Sequence, residues 1–83
     1  MNISIDISYY PLQVEFVPEI LDFIKRINTY KSLIVQTNGM STQIFGEYAD
    51  VMHALTVEIE QSFALPHSVF VLKIINADLN KGG

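Results

Sequence analysis

Between Asn38 and Met52 the chain reads NGMSTQIFGEYADVM, and this stretch narrows the possible folds more than any other. Asn38-Gly39 is the strongest local turn signal in the sequence. A β-branched run, Ser32–Thr37, precedes it, a second short strand pattern at about Thr42–Glu47 follows, and a helical period starts at Tyr48. A hairpin that leads straight into a helix belongs to a mixed α and β domain, so the segments on either side decide the topology.

Upstream, Ile3, Ile5, Ile7 and Tyr9 alternate with Ser4, Asp6, Ser8 and Tyr10, the period of a strand with one buried face, and Pro11 stops it. From about Val14 the period changes. Val17, Ile20, Leu21, Ile24 and Ile27 fall at helical spacing, Pro18 suits a first turn, and Lys25 and Arg26 suit the C-terminal end of the helix dipole, with the helix ending near Asn28. Downstream, Tyr48, Val51, Met52, Leu55 and Ile59 form a second apolar stripe, with Asp50, Glu58 and Glu60 expected on the polar side, until Leu65-Pro66 breaks the run. Ser68–Asn76 is a long apolar strand.

The order is therefore βαββαβ, which predicts a ferredoxin-like α+β fold: a four-stranded antiparallel sheet of order 4-1-3-2 with both helices on one face. Residues 1–79 are expected to form a single domain and 80–83 a flexible tail. Because the chain has only 83 residues and is 49% hydrophobic, its apolar content exceeds what so small a monomer readily hides, and self-association into a dimer or tetramer is expected.

A net charge of -4 with five Lys plus Arg residues argues against nucleic acid or an anionic membrane surface as partner. The chain has no cysteine, hence no disulfide and no thiolate metal site. Its first residues lack the pattern of a signal peptide and its apolar runs are too short to span a bilayer, so the expected location is the cytoplasm.

Strand parity also sorts side chains. If Ile3, Ile5 and Ile7 face the helices, Ser4, Asp6, Ser8 and Tyr10 face away, joined by Gln36, Gln43, Phe45 and Glu47 from the hairpin and by Val71 and Lys73 from the last strand. That uncovered face can pack against another copy. It can also bind a flat heteroaromatic ring, stacked on Tyr10 or Phe45 with Asp6, Gln43 or Glu47 along the ring edge.

Gly39-Met40-Ser41-Thr42, then Gln43-Ile44-Phe45, then Gly46-Glu47 resemble the signature of the thiamine-binding, YkoF-like family: a small-residue turn, an apolar strand and a Gly-Glu before the second helix. Tyr9-Tyr10-Pro11 and the last strand with Lys73 are weaker matches. The resemblance covers nearly the whole chain and implies a ferredoxin-like, non-catalytic protein that binds thiamine or its hydroxymethylpyrimidine moiety. Under it the binding residues are Asp6, Ser8, Tyr10, Gln36, Met40, Ser41, Thr42, Gln43, Phe45, Glu47 and Lys73. No cofactor is implied. The acid of Glu47 also suits a helix N-terminus in its own right, and Gly46 suits a close approach of the chain to a neighbour or ligand. No basic residue stands in Asn76-Ala77-Asp78, after the last strand.

Catalytic constellations are not evident. His53 and His67 have no supporting ligand pattern and are expected at the surface, and Ser41 has no nearby His. Arg26 is the sole arginine, and Leu12 and Gln13 occupy the place where an acylphosphatase-type enzyme of this fold needs an arginine-bearing loop. Tyr10 and Phe45 could imitate the base-stacking aromatics of an RNA-binding domain, but the acidic charge removes the attraction. The terminal Gly82-Gly83 resembles the end of a sulfur carrier, whose ββαββ order is absent here. The competing reading is a structural or regulatory homo-oligomer that binds nothing small.

Overall fold

Alternation in the first strand sets the layers of the molecule. The computed structural model describes residues 1–80, and its elements follow in the order β1 (Asn2–Pro11), α1 (Val17–Ile27), β2 (Ile34–Thr37), β3 (Thr42–Glu47), α2 (Tyr48–Ser62) and β4 (Ser68–Ile75). The strands form one sheet of order β2-β3-β1-β4, with all three pairings antiparallel. This is the ferredoxin-like arrangement read from the sequence, with 4-1-3-2 counted from the other edge. Of the expected tail, Asn80 is described, and residues 81–83 lie outside the described residues.

Ile3, Ile5, Ile7 and Tyr9 point under the helices and are at most 8% exposed; with Ile44, Val51, Ala54 and Leu55 they make the core. The β1 pairings Ser4↔Phe45 and Asp6↔Gln43 on one side, and Asp6↔Lys73 and Ser8↔Val71 on the other, put these residues on the opposite face. Among the described residues no helix lies on that face.

Helix α1 is rotated from its expected face. Phe23 and Ile27 are buried, whereas Val17 and Leu21 are more than half exposed. The cause is an aromatic cluster: Phe23 packs 5.9 Å from Tyr9 and 5.2 Å from Phe70, and Tyr9 stacks on Phe70 at 4.3 Å.

Glu58 was expected on the polar side of α2 and is instead buried between the two helices, 7% exposed. Burial of that charge is compensated by Arg26 of α1, whose Nη1 donates to Glu58 Oε1 at 2.6 Å and to the Glu58 carbonyl at 3.0 Å. Arg26 Nη2 donates to Ser62 Oγ at 2.6 Å, Arg26 Nε to Asp22 at 2.9 Å, and the Tyr30 hydroxyl to Glu58 Oε2 at 2.6 Å. Burial opposes the guanidinium charge, but the hydrogen bonds to Glu58 and Asp22 outweigh it and raise the Arg26 pKa. The hydrogen bond to Glu58, then burial, raises that of Tyr30. The sole arginine thus clamps α1 to α2.

Gly46 sits where α2 crosses the sheet. A Cβ there would lie 2.8 Å from Leu33 Cδ2 and 3.3 Å from Val51 Cγ2, so the missing side chain lets the helix come down onto β3.

Candidate functional site

The β2–β3 turn is built by a side chain. Thr37↔Thr42 is the last pair of the hairpin, leaving Asn38–Ser41 as its loop. Asn38 Oδ1 accepts from the N–H groups of Met40 at 2.8 Å and Ser41 at 3.1 Å, and the Asn38 N–H donates to the Ser41 carbonyl at 3.1 Å. Gly39 does not use a left-handed backbone, so the Asn-Gly signal acts here through its asparagine.

From this turn Ser41 Oγ donates to Asp6 Oδ1 at 2.6 Å, and Gln43 Nε2 donates to the same oxygen at 2.9 Å and to Ser41 Oγ at 2.8 Å. Hydrogen bonds from Ser41 and Gln43, opposed by burial and aided by the Lys73 charge, lower the Asp6 pKa below the usual carboxylate value. Asp6, Ser41, Gln43 and Lys73 therefore form one polar cluster on the uncovered face, which also carries Ser8, Gln36 and the half-exposed Tyr10.

Three expected site residues have other surroundings. Phe45 lies on the uncovered face but is 7% exposed, and so offers no open ring for stacking. The segment after β4 folds back there: Ser4 Oγ donates to the Ala77 carbonyl at 2.6 Å and accepts from the Leu79 N–H at 2.9 Å, while Gln36 Nε2 donates to Asn80 Oδ1 at 3.1 Å. Running from β1 to β2, the segment crosses β3. Thr42 faces the helix side, buried, with its hydroxyl 3.0 Å from that of Thr37. Both carboxylate oxygens of Glu47 accept from the amino group of Met1, at 3.0 and 2.9 Å.

A concave feature lies on the helix side of the turn. A cavity of about 420 Å³ opens between α1, the end of β1 and the β2–β3 turn, walled by Tyr9, Phe16, Ile20, Phe23 and Ile24, with Met40 at the turn. Thr37, Ser41 and Thr42 supply its polar margin, and among the described residues none that is charged lines it. Of the expected site residues, Ser8, Tyr10, Met40, Ser41 and Thr42 border it.

Unequal strand lengths create this space. Pairing of β1 with β3 ends at Ile7↔Thr42, while pairing with β4 continues to Pro11↔Ser68. Beyond Ile7 one edge of β1 has no neighbouring strand among the described residues. Sequence reasoning located the turn but missed Phe16, Ile20, Phe23 and Ile24, whose only signal was the apolar face of α1.

No protein-family model and no curated protein matches the chain. Solved structures do resemble it. A hypothetical protein of Methanocaldococcus jannascii superposes with TM-score 0.80 at 20% identity, over 99% of this chain and 87% of that one. A "putative thiamine biosynthesis/salvage protein" of Thermotoga maritima gives 0.75 at 14% identity, over 93% and 85%. A domain of unknown function from Bacillus cereus gives 0.71 at 12% identity, over 95% and 79%. At these identities the likeness establishes a shared fold.

Proposed function

We propose that this protein binds a small, flat heterocycle of the thiamine or hydroxymethylpyrimidine type, without converting it, in the cavity between α1 and the β2–β3 turn. The observation that carries the reading is the cavity itself: about 420 Å³, apolar and aromatic on its walls, with a polar margin at one end. That volume falls in the range of about 300–1,000 Å³ typical of small-molecule sites. Asp6 holds the margin from the far side of the sheet, because Ser41 is tied to its carboxylate. The thiamine-related name of the Thermotoga fold neighbour supports the ligand class. Burial of Phe45 favours this seat over the uncovered face.

Self-association into a dimer or tetramer and a cytoplasmic location belong to the same proposal. Val69, Val71 and Tyr10 are 41%, 54% and 52% exposed on the uncovered face, and a second copy is the occupant that fits their apolar character. They equally favour a second reading, a homo-oligomer with no small ligand. Calorimetric titration with thiamine and with hydroxymethylpyrimidine separates the two. Saturable heat that Ile24→Trp abolishes by filling the cavity supports ligand binding there; heat that survives Ile24→Trp moves the site elsewhere. An oligomer that gives no heat with either compound supports the second reading.

A further inference from the structure

Main-chain parity along β1 can be read from two hydrogen bonds outside the ladder. The Leu12 N–H donates to the His67 carbonyl at 3.2 Å, continuing the β1–β4 register, and the Tyr48 N–H donates to the Met1 carbonyl at 2.8 Å, continuing the β1–β3 register. Antiparallel pairs alternate between bonded and non-bonded, so the even residues of β1 exchange bonds with β4 and the odd ones with β3. Both bonds give the same answer. Ile7 spends its N–H and C=O on Thr42, the last β3 residue paired with β1. Tyr9 is the next odd residue. Its N–H and C=O point to the side where β3 has ended, along the wall of the cavity that Tyr9 helps to line.

Resting on the binding proposal above, we infer that this strand edge is the recognition element. The N–H and C=O of Tyr9 read an uncharged heteroaromatic ring that carries an acceptor nitrogen beside an amino donor, the pattern of an aminopyrimidine. Such an edge does what a further β3 residue would do: it accepts the Tyr9 N–H on its ring nitrogen and donates its amino hydrogen to the Tyr9 carbonyl. Tyr9 is only 8% exposed, and main-chain polar groups at so buried a residue demand partners. Pro11, the following odd residue, has no N–H. The two-bond edge is therefore confined to Tyr9.

Charge sets the rest of the specificity. Among the described residues no charged side chain lines the cavity, and the Asp6 carboxylate, tied to Ser41 and paired across the strands with Lys73, stands behind its polar margin. A phosphate ester would leave water for this uncharged lining without a cationic partner on it, which is strongly unfavourable. The site accordingly takes the free heterocycle and rejects its phosphorylated form.

The test titrates the isotope-labelled chain by NMR and calorimetry with hydroxymethylpyrimidine, its dimethylamino counterpart and its phosphate ester. The Tyr9 amide is expected to shift most among the β1 amides when hydroxymethylpyrimidine binds. The dimethylamino compound, with no donor hydrogen, is expected to bind about tenfold or more weakly, and the phosphate ester about 100-fold or more weakly. Gly39→Lys, at a position with open space around its Cα, places an ammonium at the mouth and should restore much of the ester's affinity. An unmoved Tyr9 amide, or equal affinity for the dimethylamino compound or the ester while hydroxymethylpyrimidine still saturates the cavity, overturns the inference and leaves the binding proposal standing. No saturable binding of hydroxymethylpyrimidine overturns both.

Discussion

Replacing Arg26 by Met should remove a large part of the protein's stability, although the residue lies on a helix and touches no expected binding residue. Its side chain is 16% exposed and that of Glu58 9%. Arg26→Met leaves the Glu58 carboxylate between two helices with, among the described residues, only the Tyr30 hydroxyl donating to it. Removing one partner of a buried ion pair costs about 3–5 kcal/mol, because the other charge stays desolvated. A domain of this size has a total of only about 4–12 kcal/mol. Arg26→Lys keeps the charge but loses the planar fork that reaches Glu58, Ser62 and Asp22 together, and should cost about 1–2 kcal/mol. Glu58→Leu strands a cation that keeps Asp22 as partner, 56% exposed, so its cost should sit near 3 kcal/mol. The double variant Arg26→Met/Glu58→Leu buries no charge at this site and should cost at least about 2 kcal/mol less than the sum of the singles. Urea unfolding followed by circular dichroism measures all four. Additive single and double effects, or an Arg26→Met loss below about 1 kcal/mol, would refute the assignment of this network as the clamp between the helices.

Three further outcomes can be checked with the same purified protein. Gly46→Ala should destabilise by about 1–2 kcal/mol through the Leu33 and Val51 contacts, and Leu33→Ala in the same chain should relieve that increment; thermal unfolding of the cycle reads it. Because the folded-state pKa of Asp6 is depressed by Ser41 and Gln43, its stabilisation is present above the ordinary carboxylate pKa near about 4 and is lost as pH falls through the depressed value. Asp6→Asn should therefore flatten the acid limb of the stability profile, and an unchanged limb rejects this linkage. His67 holds a left-handed backbone with φ 63°, so His67→Gly should be neutral or stabilising by up to about 1 kcal/mol and His67→Val destabilising by about 1–2 kcal/mol in chemical denaturation.

The topology was legible because β1 alternates without a break: Ile3 to Tyr10 assign two faces, and the position of the hairpin then leaves little freedom in strand order. The same parity put Asp6, Tyr10, Gln43 and Phe45 on one side, where the register places them. Burial was less legible. Glu58 looks solvent-facing by residue type, and its partner Arg26 is 32 positions away with no local signal joining them. Phe45 has the right parity, but its cover comes from Ala77–Asn80, near the far end of the chain, through Ser4 and Gln36. The cavity depends on where β3 begins relative to where β1 ends, and strand ends are the least certain features of any sequence pattern. Phe23 was missed because Val17, Leu21 and Ile24 make an equally regular stripe, and only the aromatic partners Tyr9 and Phe70 decide which way the helix turns.

Because β1 outlasts β3, two more ladder-forming residues at the start of β3 would zip the gap shut without altering one wall side chain. On the proposed binding reading, sheet growth and ligand capture thus compete for the same few peptide groups. A relative could lose the ligand through a small insertion in the hairpin while keeping every lining residue. Conversely, the walls could drift widely in sequence so long as the mismatch in length endured.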